Sequence, residues 1–386
     1  MGAGEEKNFF AKKFFSSLTA TNQSFFYRED MKKKKVIVAM SGGVDSSVAA
    51  AFAQKSGYEV LGVTLNLKHP DENFSKAQQC AGKSDRLAVE DVCRKLEIEH
   101  FYIDAYPDFE EKVLRPCALT YLEGRTPNPC CLCNPHIKFG KLVEMAKKCG
   151  AEKIMTGHYA KTCVIDGQTR LLRGDDPKKD QTYFLYALSC EELNYLEFPV
   201  GKMCKEDVRK AAAELELSVA NRPDSQDSCF QVEGECFGET LRRLFEYPAR
   251  KGRFVFNGKK VGLHSGIHQF TIGQRKGLNV ALGVPGFIKT INPATGDIEL
   301  TTNPDELLCC RFEVDKLNFH CEIKDEFTAM VQIRYRSRPV SAKVRKIAND
   351  RLEVIPDEPQ RAVTCGQAAV FYDGDLLLGG GTIDVA

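Results

Sequence analysis

From residue 35 onward, unbroken apolar runs alternate with stretches whose apolar residues recur every third or fourth position. Val36-Ile37-Val38-Ala39-Met40, Tyr58 to Leu65, His100 to Ile103 and Lys153 to Thr156 are runs of the first kind and read as buried strands. Between them, helical spacing holds over Val48 to Gln54, from Ser84 through Leu87, Val89, Val92, Cys93 and Leu96, and over residues 109–122 and 137–148. Strands separated by such helices imply a doubly wound parallel sheet, whose ligands lie at the carboxyl ends of the strands. The segments after Met40, Leu65 and Thr156 should therefore share one crevice.

The helical pattern persists from about 190 to 217 and then gives way. Phe254-Val255-Phe256, a turn at Asn257-Gly258, and Lys259 to Leu263 read as a hairpin. Ile298 to Leu300, Ala329 to Arg334, Ala342 to Ile347 and Arg351 to Ile355 are short strands, and Ala368 to Leu378 is a hairpin broken at Asp373-Gly374. The predicted architecture is α/β. A doubly wound parallel sheet occupies residues 31–235, a small central β-containing domain 236–306, and a C-terminal β-barrel 307–386. No internal repeat is visible.

Composition changes this picture only at the margins. The 386 residues exceed one ordinary core, in keeping with two or three domains. No apolar run reaches the ~18 residues of a membrane span, so no membrane partner is expected. With a net charge of +1, a polyanionic partner must be met by local basic patches and not by the overall field. The 16 cysteines are too sparse for a disulfide scaffold, and no secretory signal is visible. A reducing, cytoplasmic location follows. Residues 1–30 differ from the rest, with Phe9-Phe10, Phe14-Phe15 and Phe25-Phe26 among Lys, Ser, Thr and Asn. They read as a disordered or mis-annotated extension, with Met31 as the functional start. A transit peptide, and hence an organelle, is the alternative, against which Glu5 and Glu6 argue.

The first candidate for chemistry joins the first strand to the first helix: Ser41-Gly42-Gly43-Val44-Asp45-Ser46-Ser47. Glycines let backbone N–H groups approach an anion, and the helix N-terminus behind them favours phosphate. No Gly-Lys-Ser/Thr follows, so this is not the common nucleoside-triphosphate loop. It resembles instead the pyrophosphate-binding loop (PP-loop) of the ATP pyrophosphatases, which release pyrophosphate and leave an adenylated substrate.

The second candidate is Gly124-Arg125-Thr126-Pro127-Asn128-Pro129-Cys130-Cys131-Leu132-Cys133-Asn134-Pro135, where flanking prolines predict a rigid loop before a helix starting at Ile137. A thiol near a helix N-terminus is activated, and Cys130 and Cys133 have the C-x-x-C spacing of a redox pair or soft-metal site. Cys229, at the end of the polar run Arg222 to Ser228, is on its own as readily a core cysteine as a reactive one. Lys178-Lys179-Asp180-Gln181 before the aromatic Tyr183-Phe184, and Arg334-Tyr335-Arg336-Ser337-Arg338, pair basic with aromatic groups as RNA contacts do. Taken alone, the first is more often a solvated turn before a core helix, and the second also reads as a charged strand edge.

Taken in order, SGGVDSS at 41–47, GRTPNP at 124–129 with Cys133-Asn134, Thr156-Gly157-His158-Tyr159, Lys179 to Leu185, Asp224-Ser225-Gln226 with Cys229-Phe230, and Thr271-Ile272-Gly273-Gln274-Arg275-Lys276-Gly277-Leu278 resemble the tRNA-specific 2-thiouridylase family. The resemblance spans residues 35–384. It implies sulfur transfer to C2 of the wobble uridine of tRNA, with ATP, a magnesium ion and a sulfur-donor protein or persulfide carrier. It implies ATP binding by Ala39, Met40, Ser41, Gly42, Gly43, Val44, Asp45 and Ser46, with Asp45 near the magnesium ion and Leu65 and Gly157 at the adenine. Cys229 would carry the persulfide, and Cys133 would be the partner nucleophile that forms a transient disulfide with it. Asn128, Pro129 and Cys130 would meet the flipped-out base, and His158, Lys179, Asp180, Gln181, Arg334, Tyr335 and Gln367 the tRNA. Many family members have Asp where this chain has Cys130. Cys130, Cys133 and Cys229 could therefore instead ligate a [4Fe–4S] cluster. Rival readings are an ATP pyrophosphatase that forms amide or C–N bonds and a non-catalytic RNA-binding protein with a structural metal.

Overall fold

The structure, a computed structural model, describes residues 33–70, 83–224, 230–232 and 234–386. The expectations for residues 1–30 and for Cys229 fall outside the described residues.

The alternation of apolar runs and helices builds the expected sheet. Strands β1 (Lys35–Ala39), β2 (Glu59–Asn66), β3 (Glu99–Asp104), β4 (Lys153–Met155) and β7 (Leu196–Glu197) lie parallel in the order β3-β2-β1-β4-β7. Val36, Ile37 and Val38 are fully buried because both faces of β1 are covered, as in all-parallel sheets. Helix α1 (Val44–Lys55) covers one face with Val48, Ala49, Ala50 and Ala53, joined by Val89 and Val92 of α2 (Lys83–Leu96). The chain steps from β1 through β2 to β3 on one side and returns on the other side at β4. The order thus reverses between β1 and β4, so the crevice expected of this fold opens at their carboxyl ends, between residues 40–43 and 156–158.

Two segments depart from the sequence expectation. Helix α3 runs from Tyr106 to Leu122 with a widened turn at Glu110–Leu114, and α4 starts at Pro129, not at Ile137. Proline at the first helical position loses no hydrogen bond. Pro135, inside the helix, is absorbed by a second widened turn at Asn134–Phe139, before regular helix resumes over Gly140–Cys149. Gly140 permits this: a Cβ there would lie 2.8 Å from the Pro135 carbonyl oxygen. The cysteines therefore sit on the first turns of a helix and not on a loop. The aromatic residues after Gln181 form a single turn, Thr182–Phe184.

The second departure is a hairpin inside the α/β sequence: β5 (Ala160–Ile165) and β6 (Gln168–Arg173) turn at Asp166-Gly167, both with positive φ. It joins the sheet of the C-terminal domain, where Leu172 pairs with Leu376. That domain closes as expected. β13 (Phe312–Phe319), β16 (Arg351–Pro356), β15 (Val340–Ala348), β14 (Glu326–Gln332), β18 (Ala368–Asp373) and β19 (Leu376–Val385) follow in order, and β19 pairs back to β13. Phe312, Val331, Val354 and Phe371 fill the barrel.

Between these units lies the central sheet, ordered β10 (Phe287–Ile291), β11 (Ile298–Thr301), β8 (Gly252–Phe256), β9 (Lys259–His264). The Asn257-Gly258 turn has both residues at positive φ, as a two-residue hairpin requires. Helix α7 (Phe237–Leu244) docks on this unit: Glu239 accepts hydrogen bonds from His268 Nε2 (2.5 Å) and Gln269 Nε2 (3.2 Å).

Candidate active site

The loop after β1 is locked by its own hydroxyls. Ser46 Oγ and Ser47 Oγ donate to the Gly43 carbonyl at 3.1 and 2.9 Å, and the Ser41 N–H donates to Ser46 Oγ at 3.2 Å. No side chain caps α1, so its N-terminal turn faces the crevice uncapped by the protein, as anion-binding helices do. Two glycines make the loop possible. Gly42 has φ +79°, and a Cβ there would lie 2.7 Å from the Asp85 carbonyl oxygen. Gly157, after β4, packs on the loop itself, where a Cβ would meet Ser46 N at 2.5 Å and the Asp45 carbonyl carbon at 2.6 Å. From β2, Thr64 Oγ1 donates to the Met40 carbonyl at 2.7 Å, and Leu65 packs half-buried at the strand end.

A network of charges fills the crevice beside this loop, and sequence reasoning missed its central member. Lys205, the first residue of α6 (Lys205–Glu214), is buried and holds both Asp45 carboxylate oxygens at 2.8 Å. It also reaches Asp224 Oδ1 at 2.8 Å, where Arg209 arrives at 2.8 Å, while Lys179 binds Asp224 Oδ2 at 2.6 Å. Tyr159 donates its hydroxyl to Asp45 at 2.8 Å. Burial pushes the Asp224 carboxyl up, but the hydrogen bonds from Lys179 and Lys205 outweigh it and hold the group at about 2. Burial, then Asp45, pushes the Tyr159 phenol well above its usual range. Arg222 joins the loop to α2 by donating to the Gly42 carbonyl and to Asp85, both at 2.7 Å. The signal that could have revealed Lys205 is electrostatic: a lysine at the first position of a helix opposes the helix dipole unless acids surround it.

The cysteines stand one helical turn apart at the start of α4. Cys130 is half-buried and Cys133 buried, in a cluster with Cys117, Ile137 and Phe230. Phe230, the residue after Cys229, is itself buried with φ +71°, which is costly for an aromatic residue and fixes the chain where it enters this cluster. Burial, then the neighbouring Cys130 and Cys133, pushes the Cys117 thiol well above its usual range. Cys131 is turned away, its thiol donating toward the Tyr183 carbonyl at 4.0 Å.

All three structural units converge on the strap before these cysteines. Arg125 pairs with the Asp384 carboxylate and donates to the Asp384 carbonyl at 2.8 Å. The Thr126 N–H donates to the Cys365 carbonyl at 2.9 Å, and Gln367 Nε2 donates to the carbonyls of Thr126 and Pro127, both at 3.0 Å. Gly366 allows that approach, since a Cβ there would lie 2.8 Å from the Thr126 carbonyl oxygen. From the central unit, Thr271 Oγ1 lies 3.0 Å from Thr126 Oγ1. The Asn128 side chain hydrogen-bonds the Tyr183 phenol, which donates in turn to the Ala368 carbonyl at 3.0 Å.

Sequence comparison places this arrangement among known proteins. The family model described as tRNA methyl transferase HUP domain matches residues 34–233, its PRC-barrel domain 246–300, and an aminomethyltransferase β-barrel domain 310–383. The chain is 38% identical over 351 residues to the tRNA-specific 2-thiouridylase MnmA of Clostridium botulinum, covering 89% of this chain and 96% of the relative. It is 42% identical over 353 residues to the protein of the same name from Carboxydothermus hydrogenoformans, covering 89% and 96%. The chain belongs to the tRNA-specific 2-thiouridylase family. A solved 4-thiouridine synthetase in complex with RNA and ATP overlaps 55% of this chain and 50% of its own at 17% identity and TM-score 0.34.

The residues that the 2-thiouridylase resemblance marks as tRNA contacts divide by where they point. Asp180 faces inward: it accepts from Arg173 (2.7 Å), the Gly174 N–H (3.1 Å) and Thr182 Oγ1 (2.9 Å), while Arg173 stacks on Tyr372. Gln181 binds the Tyr159 backbone through its side-chain carbonyl at 3.0 Å. Arg334 is tied to the Ala362 carbonyl and to Thr364 Oγ1 (2.9 Å), and Tyr335 stacks on Phe184 at 4.3 Å. His158 sits against Thr156 Oγ1 at 2.8 Å, its imidazole held down to about 3 by burial and then by Lys138. Arg275, Lys276, Arg336 and Arg338 are exposed. Among the described residues, no group of three His, Cys, Asp or Glu is placed to hold a metal ion. For a magnesium ion that is no obstacle, because Asp45 plus substrate phosphates is an ordinary donor set. Of the three thiolates that an iron–sulfur cluster would take, Cys130 and Cys133 stand one helical turn apart, and Cys229 lies outside the described residues. Among the described residues no helix is long and apolar enough to cross a membrane.

Proposed function

We propose that the chain is an ATP-dependent tRNA 2-sulfurtransferase that adenylates O2 of the wobble uridine and then places sulfur on C2, releasing pyrophosphate and AMP. The observation that carries this reading concerns the two described residues flanking the Cys229 segment. Asp224 is anchored beside the phosphate loop by Lys205, whereas Phe230 is anchored in the cluster that holds Cys133. The described residues on either side of Cys229 are thus tied, Asp224 to the ATP site and Phe230 to the partner cysteine's cluster.

The loop from Ala39 to Ser46 cradles the triphosphate, with Gly157 and Leu65 at the adenine side. Asp45 would hold a magnesium ion brought in with the nucleotide, which would supply charge neutralisation for the departing pyrophosphate. Lys205 adds a fixed cation at the same place. Asn128, Pro129 and Cys130 meet the extruded uridine, with Tyr183 and Gln367 fixing the strap that carries them. His158, Lys179, Asp180, Gln181, Arg334 and Tyr335 surround the tRNA path, and the exposed Arg336 and Arg338 add phosphate contacts. The terminal sulfur of a Cys229 persulfide attacks C2 and AMP leaves. The Cys133 thiolate then attacks the Cys229 sulfur, leaving sulfur on the base and a Cys133–Cys229 disulfide that a cellular dithiol reduces. Residues 31–235 carry this chemistry, 236–306 link, and 307–386 brace the strap and contact tRNA.

The test is to incubate the protein with unmodified tRNA, ATP, magnesium and a persulfide sulfur donor, and to analyse nucleosides for 2-thiouridine. Product that disappears in Cys133→Ser and Cys229→Ser supports the assignment. An unchanged yield in both variants rejects the roles of the two cysteines, and tRNA binding without AMP formation rejects the enzyme reading.

A further inference from the structure

Three cations converge on one carboxylate beside the phosphate loop: Lys179 at 2.6 Å and Lys205 and Arg209 at 2.8 Å from Asp224. We propose that Asp224 is an internal stand-in for phosphate, holding the cationic site that the outer phosphates of ATP take and being displaced when they bind. The inference rests on the reading of the chain as an ATP-dependent enzyme and adds a competitor built into its site.

The geometry supports exchange in three ways. Lys205 holds both Asp45 oxygens at 2.8 Å, and Asp45 belongs to the first turn of α1, so the ammonium group stands at the mouth of the phosphate loop. Two of the three cations also have a second anchor that does not depend on Asp224. Lys205 stays on Asp45, and Arg209 keeps the Ala220 carbonyl at 2.8 Å. Carboxylate and phosphate oxygens, finally, accept the same charge-assisted hydrogen bonds from lysine and arginine, so one can replace the other without rebuilding the donors. The Asp224 side chain is 20% exposed, and an incoming anion can therefore reach the pairs it makes.

The experiment measures pyrophosphate and ATP binding to the full chain, by calorimetry and by ligand-induced shift of the thermal midpoint. Asp224→Asn preserves shape and removes the competing charge. Ligand-free, it should unfold at a lower temperature than the wild type, because the buried Lys205 and the half-buried Lys179 and Arg209 lose a charged partner. It should nevertheless bind pyrophosphate at least about threefold more tightly and show a larger ligand-induced shift, since a competing ion pair has gone. Arg209→Gln should weaken pyrophosphate binding. Asp224→Asn binding pyrophosphate as weakly as the wild type or more weakly would overturn the inference, as would an unaltered affinity in Arg209→Gln. A wild-type protein that binds neither ATP nor pyrophosphate would overturn both the inference and the ATP-dependent reading, whereas wild-type binding that Asp224→Asn reduces overturns the inference alone.

Discussion

Gly157→Ala isolates the contact between β4 and the phosphate loop. At Gly42 a side chain would meet both a neighbour and an unfavourable φ of +79°, so a substitution there mixes two effects. Gly157 has no such backbone constraint, and the added methyl acts through sterics alone. It would lie 2.5 Å from Ser46 N and 2.6 Å from the Asp45 carbonyl carbon, against 3.4 Å for ordinary contact, so loop and strand must part by almost 1 Å. Both atoms are backbone, and neither can rotate away. The loop is also stiff, because Ser46 and Ser47 tie it to Gly43. Overpacking of this kind costs about 1–3 kcal/mol of stability. A displacement of ~1 Å in a group that positions a reacting phosphate costs about 100-fold in rate, or about 2.7 kcal/mol of transition-state stabilisation. The assay is tRNA-dependent AMP formation at saturating tRNA, with the thermal midpoint measured alongside. Gly157→Ala should lower kcat/KM for ATP by about that factor in protein that remains folded at the assay temperature. Wild-type kinetics in Gly157→Ala would refute the claim that this glycine sets the position of the loop.

The strap and the charge network give three further expectations. Asp384→Asn leaves Arg125 short of its carboxylate partner and should cost about 1–2 kcal/mol in urea unfolding, with thiolation falling while pyrophosphate binding stays at the wild-type level. Gln367→Ala removes two 3.0 Å bonds to the strap and should cost about 1–2 kcal/mol, lowering kcat/KM for tRNA but not the affinity for ATP. Equal losses for both substrates would reject that division. The Asp224 carboxyl is held at about 2 in the folded chain, below the ordinary 3.8, so the stability it confers is present above pH 3.8 and lost as pH falls toward 2. The stability gap between wild type and Asp224→Asn should therefore be about 2 kcal/mol near neutral pH and narrow toward pH 2, and a gap independent of pH would reject the assignment.

What could be read from the sequence, and what could not, follows from the range over which each signal acts. β1 announces itself because Val36, Ile37 and Val38 are apolar on both faces, and the Ser41-Gly42-Gly43 turn announces the phosphate loop because it needs local backbone freedom. The β5–β6 hairpin carried a local signal too, Asp166-Gly167 between strand-like runs, but the helix-and-strand rhythm around it hid a hairpin that belongs to the barrel. The helix start at Pro129 was misread because proline is a breaker only where a hydrogen bond is lost. At the first position none is lost, and at Pro135 a widened turn absorbs the loss.

Charges were the least legible, since a lysine or aspartate in a polar turn looks solvated until its partners arrive from afar. Lys205 meets Asp45 across 160 positions, and Arg125 meets Asp384 across 259. Periodicity carries no trace of such pairs. Yet they decide the chemistry, because they bring the phosphate loop, the cysteine helix and the barrel to one place. Cys365, Gln367 and Asp384 of the barrel all hold the strap before Cys130, so the barrel sets where the cysteine helix begins.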